Sequence, residues 1–164
     1  MLSPRARLTT WLAVGVPVLA IDQYTKDLAL RSLSIGVPEH VVWSLQWNLL
    51  FNSGMAFSKG RGLGPLIALG VVVVVVSIAA SLRHSKSVMS AVIVGLIIGG
   101  ALGNLSDRLF RDGSGFLGGK VIDFIDLQWW PVFNIADSAV VVGMVLLAVE
   151  WLRHPRPGPG AADS

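Results

Sequence analysis

The chain has 164 residues, of which 53% are hydrophobic and 14% charged, and its formal net charge is +3 at pH 7. So few charges exclude an ordinary soluble domain and point to an integral membrane protein. The absence of cysteine rules out a disulfide, a thiol nucleophile and a thiolate metal site. The three histidines, His40, His84 and His154, are too scattered for a His-based metal centre, and no basic run with interleaved aromatics invites nucleic acid.

A spanning helix needs about 20 apolar residues. Four stretches qualify, at 8–30, 64–82, 88–105 and 132–152. Basic density at Arg5 and Arg7, at Arg83 and Lys86, and at Arg153 and Arg156 places the short flanks and both termini in the cytoplasm. The longer connections, 31–63 and 106–131, then face outside, although they hold Arg31, Lys59, Arg61, Arg108, Arg111 and Lys120. The N-terminus has a rival reading, a removable signal peptide ending near Val18-Leu19-Ala20.

In the first outer connection, Val41, Val42, Trp43, Leu45, Trp47, Leu49 and Phe51 favour strands, which predicts a small sheet on the membrane surface. Trp43, Trp47, Trp129 and Trp130 suit the headgroup zone. Val71–Val76 reads as lipid-facing or packing surface. Gly95, Gly99 and Gly103 recur every four residues and permit close helix approach on one face. The second outer connection is glycine-rich, and residues 155–164 read as a disordered tail behind a single domain over 1–154.

The polar residues gather at the ends of these apolar runs. Asp22 and Lys26, four apart, share a helix face, either as a local ion pair or as the brace of a polar site. Asn52, Gly54 and Phe57 of "NSGMAF" are explained by a plain turn. Asn104, Asp107 and Arg108 lie on one helical side, where the amide of Asn104 wants a partner. Pro131 suits the start of the fourth span and puts Asn134 and Asp137 on one face of its first two turns. Asp123 arrives from the glycine-rich connection and can fold back over that helix entrance. Asp126 reads equally as a surface carboxylate.

A carboxylate at the edge of an apolar span is costly and persists where it does chemistry or moves an ion. Two such carboxylates held close share a proton. The charged one can take a proton from water while the neutral one donates to a carbonyl oxygen, so that water attacks a peptide bond directly. A proton- or cation-coupled transporter using Asp22, Asp107 and Asp137 is the alternative. It is disfavoured because the acids gather at one side and no span is broken in its middle. A structural subunit leaves the polar motifs unexplained.

In order along the chain, "DQYTK", "NSGMAF", "GGALGNLSDRL", "VIDFID" and "FNIADSAVVVG" resemble the motifs of the bacterial lipoprotein signal peptidase (signal peptidase II) family. The resemblance runs from about Asp22 to Trp151. It implies an all-α membrane protein of four transmembrane helices with a small extracytoplasmic β-cradle, whose first span is retained. It implies an inner-membrane aspartic endopeptidase that needs no cofactor or metal and cuts diacylglyceryl-modified prolipoproteins just before the lipobox cysteine. Asp123 and Asp137 match the catalytic pair. Asn52 and Gly54, Asn104 and Arg108, and Asn134 match substrate-side or supporting positions, Asp22 and Lys26 match a supporting motif, and Asp107 supports Arg108. Membrane lipid and a globomycin-type cyclic peptide inhibitor are the further partners the family implies.

Overall fold

The computed structural model describes residues 2–54, 64–83, 85, 87–113 and 115–153. The expectations for Phe57, Lys59, Arg61, His84, Lys86, His154, Arg156 and the 155–164 tail lie outside these residues. Four helices and a three-stranded sheet make up the described part: α1 Pro4–Ser32, β1 Glu39–Val42, β2 Leu45–Asn52, α2 Gly64–Leu82, α3 Val88–Phe110, β3 Val121–Asp126 and α4 Ile135–Arg153. The class is mostly helical, as the apolar runs predict. Two helices, α3 and α4, are long and apolar enough to cross a membrane, and Leu69–Leu82 forms a shorter apolar helical stretch.

Three helix boundaries differ from the sequence expectation. α1 starts at Pro4, four residues before the apolar run, because Ser3 caps it by accepting from Ala6 N–H at 3.2 Å and Pro4 fits the first turn. α3 runs on to Phe110, past residue 105, since the polar residues of its last turns find buried partners instead of breaking the helix. α4 begins at Ile135, later than Pro131 promises. Phe133 is held in extended pairing with β3, its carbonyl accepting from Ile125 N–H at 2.8 Å and its N–H donating to the Ile125 carbonyl at 3.0 Å.

α1 packs along α3, and α3 along α4. The four-residue glycine spacing on α3 explains the closeness of the first contact: a Cβ on Gly99 would stand 2.6 Å from the Gly15 carbonyl oxygen, and one on Gly95 would stand 2.8 Å from Val14 Cβ. The exposed valines Val71, Val73, Val74 and Val76 present an apolar outer surface on α2.

The sheet is antiparallel in the order β1-β2-β3. β1 and β2 form a hairpin whose tip, Trp43, has φ +50° and is 92% exposed, a left-handed conformation that a bulky residue rarely adopts. Beneath the sheet, Leu49, Ile122 and Phe124 bury against Ala29 near the end of α1, with Trp47 and Ile135 packed around them. Trp47 is partly buried, with its ring centroid 6.1 Å from that of Phe124. Trp43, Trp129 and Trp130 are exposed.

Candidate active site

The site begins at the N-terminus of α4. Asn134 caps the helix, its Oδ1 accepting from Asp137 N–H at 2.9 Å, while Asp137 Oδ2 accepts in return from Asn134 N–H at 3.2 Å. This reciprocal box fixes both side chains and satisfies helix-end donors. A third donor of that turn, Ala136 N–H, gives its hydrogen bond to Asp22 Oδ1 on α1 at 2.9 Å. Asp22 thus carries negative charge to the positive end of α4 from across the bundle.

Behind this turn lies a fully buried ion cluster. Lys26 Nζ sits 2.8 Å from Asp22 Oδ2 and 2.8 Å from Asp107 Oδ2, and it donates to Asn104 Oδ1 at 2.9 Å. All three charged side chains have no exposure. Arg111 closes the other side, with Nε 2.6 Å from Asp107 Oδ1. Gln23 Nε2 reaches Asp22, Asp107 and the Gly103 carbonyl. A buried charge is tolerable only when paired and hydrogen-bonded, and this cluster meets both conditions. Asp107 spends its oxygens on Lys26, Arg111, Gln23 and Ile122 N–H, so it acts on Arg108 through charge rather than a bond.

Asp123 reaches the same place on a strand, not on the mobile connection expected for it. β3 is buried on both faces and paired to β2, with Leu50 opposite Asp123 and Asn52 opposite Val121. The diagonal neighbour Asn52 donates to Asp123 Oδ2 at 2.9 Å. Asn52 Oδ1 in turn accepts from Gly54 N–H at 2.8 Å, and Gly54 takes φ +96°, which glycine adopts without strain. Asn134 Nδ2 donates to Asp123 Oδ1 at 2.7 Å and to Asn104 Oδ1 at 3.0 Å, and Asn104 Nδ2 donates to Asp137 Oδ1 at 2.7 Å. Two asparagines thus tie Asp123 on the sheet to Asp137 on the helix.

Both carboxylates open onto one cavity of about 280 Å³. Its polar end is Asn52, Asn104, Arg108, Asp123 and Asp137, and its walls are Val71, Val72, Ala101, Val140 and Val141. Asp123 is 3% exposed. Burial, reinforced by the negative charge of Asp137, pushes its carboxyl up from the ordinary 3.8 to about 7, against the pull of the Asn52 and Asn134 hydrogen bonds and of Lys26. Asp22, Lys26 and Asn134 stand behind the cavity wall.

Asp126 is not the surface carboxylate it resembles in the sequence. It is 7% exposed and accepts from Gln46 Nε2 at 2.7 Å, Asn48 Nδ2 at 2.9 Å and Gln128 N–H at 2.7 Å. Burial raises its carboxyl, but these three donors outweigh burial and hold it below the usual range. Gln23 and Arg111 are the cluster members that the sequence reading passed over. Arg111 lies four residues after Asp107, a helical spacing that marks a pair. Among the described residues no group of three His, Asp or Glu side chains gathers as metal ligands would.

The family model for signal peptidase (SPase) II matches residues 14–153, a stretch that takes in every residue of this site. The chain belongs to the signal peptidase II family. It is 45% identical to the lipoprotein signal peptidase of Mycobacterium avium (strain 104) over 147 residues, covering 89% of this chain and 80% of that one. It is 44% identical to that of Rhodococcus jostii (strain RHA1) over 155 residues, covering 92% and 76%. Among solved structures it resembles a bacterial membrane enzyme determined by the in meso method at 2.3 Å resolution, with a TM-score of 0.74, 26% identity and 88% of each chain covered. As a signal peptidase II, the protein is an aspartic-type protease that cleaves signal peptides from prolipoproteins.

Proposed function

We propose that Asp123 and Asp137 form the catalytic pair of a membrane aspartic endopeptidase, which cuts diacylglyceryl-modified prolipoproteins immediately before the lipobox cysteine. The observation that carries this reading is the pairing of two carboxylates on one cavity, bridged by the amides of Asn104 and Asn134. Lys26 and Arg111 face Asp22 and Asp107, with Arg111 shared with the exposed Asp27, and Arg108 borders the cavity beside Asp123 and Asp137. A single proton shared by the pair leaves one negative charge opposite Arg108, the protonation state that acid–base attack by water requires.

In that state the ionised carboxylate removes a proton from water as the oxygen bonds to the scissile carbonyl carbon. The protonated carboxyl gives its proton to the carbonyl oxygen. Collapse of the tetrahedral intermediate breaks the C–N bond: the proton taken from water passes to the leaving nitrogen of the cysteine, and a hydroxyl of the intermediate returns a proton to the other carboxylate, which restores the singly protonated pair. Asn52 and Asn134 hold Asp123, Asn104 and the helix cap hold Asp137, and Arg108 borders the cavity as a cation for developing negative charge. Gly54 sets the turn beside Asn52, and Asp22 and Lys26 brace the start of α4.

The same reading makes all four helices transmembrane in one domain over 1–154. Both termini are cytoplasmic, and the aspartates lie near the extracytoplasmic surface, under a β-cradle with tryptophans in the headgroup zone. α1 is about 44 Å long at 1.5 Å per residue, more than a bilayer core requires. Val14 and Gly15, which removal would take away, pack against Gly95 and Gly99 of α3, which supports retention of α1 over its removal as a leader. The valine walls suit the apolar signal helix and acyl chains in lipid, and a globomycin-type cyclic peptide would compete for the same cavity. The test is to incubate the purified protein with a lipidated prolipoprotein and sequence the product. A mature chain beginning at the lipid-bearing cysteine supports the reading, and a cut elsewhere refutes the proposed substrate register.

A further inference from the structure

The cavity at the aspartates has a counterpart at the other end of the bundle, also between α2 and α4 over α3. It measures about 560 Å³ and is lined by Ser77 and Ser81 of α2, Ser90 of α3, and Leu147, Glu150 and Trp151 of α4, among others. Among the described residues that line it, Glu150 is the single ionisable group. Ser90 Oγ donates to Glu150 Oε1 at 2.9 Å, and Ser85 Oγ donates to Ser90 Oγ at 2.9 Å, so the carboxylate is held in place. Its other oxygen, Oε2, is buried and has no hydrogen-bond partner. No cation among the described residues stands within 4 Å of it, including Arg153 on the next turn. A carboxylate oxygen left unpartnered in low dielectric is costly, so a partner supplied from outside the chain is the economical explanation.

The location says what that partner is. The other charges flanking this end of the bundle are basic: Arg5, Arg7, Arg83 and Arg153. Among the described residues at this end Glu150 is the acidic exception, and its charge favours a cation in the groove. Thirteen residues of α4 separate Asp137 from Glu150, about 20 Å along the helix. A signal peptide carries a basic n-region, then 7–15 apolar residues, then the small residues before its cleavage site. Its apolar segment as a helix spans about 10–22 Å. With the scissile bond at the aspartates and the small residues adding to that length, the shorter apolar segments bring the basic n-region to Glu150.

We infer that Glu150 is the subsite that receives a lysine or arginine of the signal peptide's n-region, so that the groove measures its substrate from the cleavage site to the basic end. The inference rests on the peptidase reading and orientation above. The test uses the full-length protein in detergent and two diacylglyceryl-modified prolipoproteins, identical except that the n-region lysines and arginines of one are replaced by glutamine. Wild type should show a KM about fivefold to tenfold higher on the neutral substrate, with kcat unchanged. Glu150→Gln, which keeps an acceptor for Ser90, should show the higher KM on both substrates. Glu150→Lys should recover the lower KM on a third substrate whose n-region is acidic. The inference is overturned if Glu150→Gln keeps the preference for the basic n-region, or if it slows both substrates by the same factor, which marks a packing role. Failure of wild type to cleave any of the substrates would instead overturn the peptidase reading on which the inference stands.

Discussion

Burial and the negative charge of Asp137 make Asp123 harder to ionise than an exposed aspartate. With its carboxyl raised to about 7, the folded protein binds one more proton than the unfolded chain between about pH 4 and 7. The stability Asp123 contributes is therefore full below about pH 4 and declines as pH rises through 7. Thermal melts of Asp123→Asn should stay flatter across that window than those of wild type. The same ionisation removes the shared proton, so kcat/KM should fall above about pH 7; a profile still rising to pH 9 would contradict a singly protonated pair. Asp126 is the contrasting case three residues on. Asp126→Asn should retain cleavage but lose about 1–2 kcal/mol of stability, read from the melting temperature, because an amide cannot accept from all three of its donors. Asp123 and Asp137 were singled out in the sequence because carboxylates beside apolar runs demand a reason. Asp126 stayed open in the sequence because it shares the "VIDFID" context, and only the pairing of β2 with β3 reveals the amides around it.

Helix termini and small residues bring these side chains together. The entrance of α4 is defined three times, by the Asn134–Asp137 box, by Asp22 on Ala136 N–H, and by Phe133 pairing with β3. The proline at 131 is a correct signal for a helix nearby but marks the wrong residue, since strand pairing takes the next turn of chain first. No local pattern encodes that competition. The glycine spacing on α3, by contrast, was readable, because its period alone puts three small residues on one face. Gly99→Ala should cost about 1–3 kcal/mol, since its methyl meets the Gly15 backbone, which cannot rotate away as a side chain could. Melting in detergent measures the loss. Because α1 carries Asp22 and Lys26, the same variant should lower cleavage in proportion to the displacement of the α4 entrance.

The molecule as a whole divides into an apolar bundle and a polar end. The apolar runs and the polar motifs that close them carry this division in the sequence. The ion cluster does not follow from it: the convergence of Asp22, Lys26, Asp107 and Arg111 from α1 and α3 depends on how those helices pack. That convergence explains how Asp22 and Asp107 can be buried beside the proposed pair: Lys26 and Arg111 offset their charge, which leaves the pair, on the proposed function, to share one proton. The central claim is that Asp123 and Asp137 share that proton and act on water together. The most direct measurement is single-turnover cleavage of a diacylglyceryl-modified prolipoprotein by wild type, Asp123→Asn and Asp137→Asn, each checked for an unchanged melting profile. Each substitution should slow cleavage by at least about a hundredfold to ten-thousandfold. Near-wild-type cleavage by either folded variant would contradict the pair.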